Sequence, residues 1–294
     1  MAQKLTAGKA SLEVRALSRV VLGWRHLRSW SLAELGELVG YSAATLSQIS
    51  RAVIRPSPSD VLRIGAACRA PDDEIELCAR VAQRANDPQM WDRINGDAWA
   101  RLVWTPWNVM LEATELLIVA TDAVPELFRT NAYNEMLRKS GAVAGCLDLG
   151  WQQDVLARLD MDAKEAARPG SHGPLCVRLL VTEPVLTCSV GGVPAMIEQL
   201  GRLEDLTERT GFDLNIVNGD AGPYFGMQQS FTVMRFRAPR FDDVVLTRTL
   251  HGGDTWLESA ADCEPYERAL LALNNVVRTR EESARWLSQA SLAL

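Results

Sequence analysis

The sequence predicts an α+β protein: an all-α, five-helix helix-turn-helix domain followed by a larger α+β domain with a small sheet of about four strands. Three observations carry this reading. The stretch from Leu32 to Arg51, LAELGELVGYSAATLSQISR, places Leu35, Val39, Leu46 and Ile49 so that two short helices each bury one face about a turn. Helical periodicity continues on both sides of it through the first eighty or so residues. Beyond about residue 170 the pattern changes to short β-prone runs separated by turn residues. A chain of 294 residues with 47% hydrophobic content is long enough for about two domains. The breaker Asn86-Asp87-Pro88 divides it into residues 1–86 and 87–294.

The head is read helix by helix. Leu17, Val20, Val21, Trp24 and Leu27 recur at helical spacing and define the first helix. Ser31, three residues before Glu34, gives the second a capping-box start. Gly40 falls where the chain turns and a positive φ favours glycine; Gly36 lets the two motif helices approach closely. Ser57 and Pro58 mark the N-cap and first position of a fourth helix, with Val61, Leu62 and Ile64 as its apolar residues. A fifth starts at Pro71-Asp72-Asp73-Glu74, acids in its first turn, and runs to about Ala85.

In the second domain, Trp91, Trp99, Trp104 and Trp107 crowd one stretch, suited to core or interface packing or to an aromatic wall of a ligand pocket. Residues 108–170 read as mainly helical, in the segments NVMLEATELLIVA, VPELFRTNAYNEMLRKSG and DLGWQQDVLARLDMDAKEAAR. The four expected strands are CVRLLV (176–181), FDLNIV (212–217), SFTVMRF (230–236) and VVLTRTL (244–250). A helix from Val193 to Thr210 lies between the first two, and a helical pattern from Pro265 to Ala290 closes the chain.

Charge is divided unevenly. The net charge is −6, yet residues 1–60 carry eight basic residues (Lys4, Lys9, Arg15, Arg19, Arg25, Arg28, Arg51, Arg55) against four acidic ones, a local +4 that leaves −10 for the rest. A basic head on an acidic body suits phosphate contact by the head alone. The six cysteines, at 68, 78, 146, 176, 188 and 263, form no CxxC pair, and the three histidines are scattered. That spread fits reduced thiols and predicts neither a metal site nor a disulfide framework. No apolar run of about 18 residues or secretory leader is present, so the expected compartment is the cytoplasm, with no membrane partner.

Residues 12–85 resemble the lambda-repressor/Cro type, or Xre family, of helix-turn-helix regulators, through the turn glycine, the buried positions and the following RPS element. The remainder is similar to the domain behind such heads in actinomycete regulators of the Scr-type, antitoxin-like group, whose genes often neighbour a small partner protein. VPELFRTNAYNEML (124–137) is similar to that group's VPGLLQTxxYAxAL; WQQDVLARLD, TEPVLTCSVGGVPAMIEQLGRLEDL and FGMQQSFTVMRF add to the match. Glu126 stands for the glycine and Arg129 for the glutamine of the PGLLQT element. Ser50 and Ala52 stand for the glutamate and glycine of the head's SRIExG stretch, and losing that C-cap glycine costs helix-end stability.

In this motif class the exposed positions around the second helix's N-terminus meet bases and phosphates. They are Ser42, Ala43, Ala44, Ser47, Gln48 and Arg51, with Arg55 and the other head arginines (15, 19, 25, 28) as phosphate contacts. Gln48 suits adenine and Arg51 guanine or a phosphate; the alanines offer only methyl contact. Trp107, Glu112, Arg129 and Tyr133 are the candidate effector-site residues. Glu112 and Glu115, three apart on an expected helix, could share a face, while His172 and His251 sit in loops with no identifiable base partner.

These readings predict a sequence-specific DNA-binding transcriptional regulator, homodimeric on a pseudo-palindromic operator in double-stranded DNA. Its second domain would sense a small-molecule effector or a partner protein, with no catalytic residue and no cofactor assigned. The alternative is a repurposed scaffold, a small-molecule enzyme or pure interaction module with a vestigial DNA-binding head.

Overall fold

The computed structural model describes residues 3–4, 12–84, 109–142, 149–166, 173–237, 241–248 and 254–293. They form two compact units: the described residues up to 84, with Phe241 and Asp242, and those of 109–237 and from 243 onward. The predicted tryptophan cluster (Trp91, Trp99, Trp104, Trp107), the Asn86-Asp87-Pro88 breaker, Cys146, His172 and His251 lie outside the described residues.

The first unit holds the five expected helices: α1 (Leu12–Gly23), α2 (Leu32–Val39), α3 (Ala43–Ser50), α4 (Pro58–Cys68) and α5 (Asp72–Arg84). Leu17, Val21, Leu35, Val39, Leu46, Ile49, Val61 and Ile64 are its buried centre. Two of the apolar residues read along the expected helices lie outside the core. Leu27 is 59% exposed, because the chain tightens into a 3-10 turn at Trp24–Arg28 and leaves the α-helical phase; Leu62 is 51% exposed. The unit is also not wholly α, since β1 (Gln3–Lys4) pairs antiparallel with β2 (Ile54–Arg55).

Local signals set the helix ends. Ser31 Oγ accepts from Glu34 N (3.3 Å) while Ser31 N donates to Glu34 Oε2 (2.8 Å), a complete capping box. Gly40 turns at φ +71°, and a Cβ on Gly36 would collide with the carbonyl of Tyr41. Ala52, where the resemblance implies glycine, does adopt a left-handed φ of +52°, its methyl buried beside Val14.

The second unit is α+β, built on six strands rather than about four, in the order β5-β4-β3-β6-β7-β8. β4 (Cys176–Thr182), β5 (Phe212–Val217), β6 (Phe231–Arg235) and β7 (Val244–Arg248) occupy the four expected runs. The two additions are β3 (Glu115–Ala120) and the edge strand β8 (Asp254–Leu257). β3 overturns the helical reading of ELLIVA. It is the central strand, parallel to β4 and antiparallel to β6, and five of its six residues are buried. A strand covered on both faces loses its polar alternation, so periodicity alone cannot separate it from a buried helix. The predicted Glu112–Glu115 helix face goes with it: Glu112 lies in a turn and Glu115 opens β3, in ion-pair distance of Arg235 (3.1 Å).

Helices connect and cover the sheet. A 3-10 turn (Glu126–Phe128), α6 (Asn131–Lys139), α7 (Leu149–Leu156) and α8 (Ala163–Ala166) fall between β3 and β4. Between β4 and β5 come α9 (Glu183–Thr187) and α10 (Gly192–Thr207), as parallel pairing requires a crossover. The chain closes on α11 (Ala260–Leu273) and α12 (Arg280–Ala293). Leu117, Val119, Leu180, Val233 and Val245 form an apolar face with Ala269, Leu270 and Leu273 of α11. No described helix is long and apolar enough to cross a membrane.

Candidate nucleic-acid interface and effector pocket

The first candidate site is the outer surface of α3. Leu46 and Ile49 anchor its inner face with no exposure, so Ala44, Ser47, Gln48 and Arg51, spaced three and four apart, project outward. Ser42 is the N-cap, its Oγ accepting from Thr45 N at 3.0 Å and lying 2.8 Å from Thr45 Oγ1. That hydroxyl is spent on the helix end. Ala43, Ala44 and Gln48 are exposed; Arg51 is exposed and folds its Nε back to the carbonyl of Ser47 (3.2 Å). The structure therefore gathers Ser42, Ala43, Ala44, Ser47, Gln48 and Arg51 on one accessible surface.

The arginines sort differently. Arg55 lies part-buried in β2. Arg15 is corrected as a phosphate contact: it is 6% exposed and points away from solvent. Arg19 is also largely shielded, and burial, with the neighbouring Arg15 charge, pushes its guanidinium down. Arg25 donates to the carbonyl of Trp30 (3.0 Å) and Arg28 to that of Cys68 (3.2 Å), each keeping an accessible end.

A buried polar knot supports this surface. Tyr41, in the turn before α3, donates its hydroxyl to Asp60 Oδ1 at 2.5 Å; Asp60 Oδ2 accepts from Ser57 N (2.9 Å) and Ser57 Oγ (2.7 Å). Burial alone would raise the Asp60 carboxyl, but the hydrogen bonds from Tyr41 and Ser57 outweigh it and hold the group below the usual carboxylate range. Sequence reasoning found Ser57 as a cap and missed Asp60; the Ser-x-x-Asp spacing was the signal available.

The second candidate site lies at the carboxyl end of β3, where a parallel neighbour gives way to an antiparallel one, a kind of position where open sheets bind ligands. A cavity of about 140 Å³ opens there. Ile118, Leu127, Phe231 and Leu246 supply apolar wall, and Asp122, Glu126, Arg129 and Arg248 supply charge. The loop after β3 is fixed by long-range hydrogen bonds. Gln199 on α10 accepts from Thr130 N (2.9 Å) and donates to the carbonyl of Phe128 (3.0 Å), and Gln152 on α7 donates to that of Glu126. Ser230 accepts from Thr121 N (2.9 Å) and donates to Asp122.

Of the predicted effector residues, the structure brings Arg129 and Tyr133 together. Arg129 lines the cavity, donating from Nε to the carbonyl of Val124 (2.7 Å) and from Nη1 to Asn134 Oδ1 (3.3 Å). Burial pushes its guanidinium down, against an opposing pull from Glu126. Tyr133 lies behind the wall, 1% exposed, its hydroxyl accepting from Val124 N (3.3 Å); burial pushes its phenol up. Glu112 is not among the lining residues, and Trp107 lies outside the described residues. Glu126 and Arg248, 3.7 Å apart across the rim, were not among the predicted site residues, although Glu126 stood out as a departure from the family pattern.

Residues 16–77 match a family model described as a helix-turn-helix domain, and residues 110–289 match one described as a domain of unknown function, DUF5753. No curated protein and no solved structure matches the chain. The helix-turn-helix match points to a DNA-binding regulator.

Proposed function

The chain belongs to the DUF5753 family, and we propose that it is a sequence-specific transcriptional regulator of the Xre type, akin to the Scr-type antitoxin-like group. It binds as a homodimer to a pseudo-palindromic operator, with half-sites about one helical turn apart. The observation that carries this is the exposed face of α3, where Gln48 in the last turn and Arg51 at the C-cap share an accessible surface with the capped start at Ser42, inside a matched helix-turn-helix. Gln48 suits an adenine edge and Arg51 a guanine or a phosphate. With Ala43 and Ala44 at the reading end, affinity is modest for a single head, and dimerisation through the second domain supplies the rest. The cavity beside Glu126 and Arg129 takes the effector; a small partner protein is the other input that the family resemblance implies.

A gel shift with the DNA upstream of the gene tests this. Specific binding is expected, and Arg51→Ala weakens it about tenfold if the contact is a bidentate one to guanine. If Arg51 meets a phosphate instead, the loss is uniform across sequences and the salt slope falls by about one. No specific binding, or residual binding indifferent to Arg51→Ala, sinks the proposal and favours the interaction-module or enzyme reading.

A further inference from the structure

This inference rests on the ligand-sensing reading above and gives the ligand a chemistry. The cavity holds a buried guanidinium that no described carboxylate contacts directly, Glu126 and Asp122 acting on it only from a distance. Arg129 is 7% exposed and makes no ion pair with a described residue. Its Nε and Nη1 are spent on neutral acceptors, Val124 O and Asn134 Oδ1, while Nη2 has no hydrogen-bond partner among the described residues. The neighbouring charges are engaged: Arg248 faces Glu126, and Asp122 accepts from Ser230 Oγ and from Ala123 N (2.9 Å). A buried guanidinium with no carboxylate in contact is costly, and its Nη2 keeps N–H donors for an anionic ligand.

Size and polarity narrow the choice. A cavity of about 140 Å³ is close to the roughly 150 Å³ that holds a benzene molecule in an apolar protein site. Ile118, Leu127, Phe231 and Leu246 would stay wet around an inorganic anion. Glu126 and Asp122 on the same rim disfavour a second negative charge, which selects a monoanion over phosphate. We propose that this cavity binds a small monocarboxylic acid whose apolar body is about the size of a benzene ring, with its carboxylate accepting from Arg129.

Calorimetric titration of the full chain with sodium benzoate, with benzamide as its neutral isostere, and with inorganic phosphate tests the proposal. Benzoate is expected to bind, benzamide about tenfold more weakly or worse, and phosphate to give no heat. Arg129→Gln removes the preference for benzoate over benzamide, and Ala123→Leu, at the cavity wall, weakens both. If Arg129→Gln fails to fold by circular dichroism, the two ligands on the native chain and on Ala123→Leu decide. No benzoate heat on folded protein, equal affinity for benzamide, or preferential phosphate binding overturns it. The two readings fail separately. Benzoate binding that leaves operator affinity unchanged keeps the carboxylate site and removes its sensing role, whereas an intact operator shift without benzoate binding removes the site alone.

Discussion

The recognition surface and the cavity differ in how far along the chain their polar groups find partners. Around α3 the cap partners are neighbours in sequence, Ser31 with Glu34, Ser42 with Thr45 and Ser57 with Asp60, each three residues apart, and the Tyr41–Asp60 bond joins two such segments. Around the cavity, short-range bonds within residues 122–134 are joined by partners from distant elements. Gln199 serves Phe128 and Thr130 from about seventy residues away, and Ser230 reaches Asp122 across the β3–β6 pairing. Arg158 is the extreme case. It is 3% exposed and donates to the carbonyls of Met110 (3.2 Å), Leu111 (3.0 Å), Ala113 (2.6 Å) and Gly173 (2.8 Å), tying the entry to β3 to the approach to β4. Burial pushes its guanidinium down to about 10. The lesson is that the helix ends of the first unit are set by small local devices, whereas the second unit adds buried groups, such as Arg158 and Gln199, that each serve several segments.

That contrast orders the expected effects of substitution. The largest is Arg158→Met, which leaves several carbonyls at the entry to β3 and the approach to β4 without this donor and is expected to cost about 3 kcal/mol. Urea denaturation of the full chain measures it; a loss under about 1 kcal/mol would remove the claim that the second unit depends on such hubs.

Next is the knot behind α3. Tyr41→Phe is expected to cost about 1–2 kcal/mol, since the buried Asp60 carboxylate loses one donor and keeps two. The pH dependence has a definite sign. The folded Asp60 carboxyl lies below its unfolded value of about 3.9, so its contribution is present above about pH 4 and is lost as pH falls through the depressed folded value. Stability of the native chain should therefore drop more steeply below pH 4 than that of Asp60→Asn. Parallel acid curves would show that the knot carries no charge-dependent stability.

The smallest expected effect is a gain. Arg69, an exposed C-cap of α4, holds φ at +52°, a conformation that costs a non-glycine residue about 1 kcal/mol. Arg69→Gly should raise stability by about 0.5–1 kcal/mol in thermal or urea unfolding. Ala52 shares that φ, but there glycine would give up a buried methyl worth about 0.8 kcal/mol, so the two terms nearly cancel. A destabilised Arg69→Gly would break the account of the first unit's helix ends as set by local devices.

The family matches divide along the same line, a familiar helix-turn-helix in front and a domain of unknown function behind. The sequence by itself determined the helix-turn-helix: its caps, turn glycine and buried positions are each decided within one or two turns, where side chain and backbone partner are neighbours. It also determined the four strands whose β-prone runs are bounded by turn residues. Only the tertiary structure decided that ELLIVA is the central strand, because burial on both faces erases the alternation that marks a strand. Only it separated Arg15, turned inward, from Arg51, turned outward, since identical residues differ by what the fold packs around them. The cavity was decided at that level too. Arg129 was visible as an unusual residue in its segment, but its burial without a directly contacting described carboxylate depends on β6, β7 and α6 meeting around it, and no local pattern encodes that meeting.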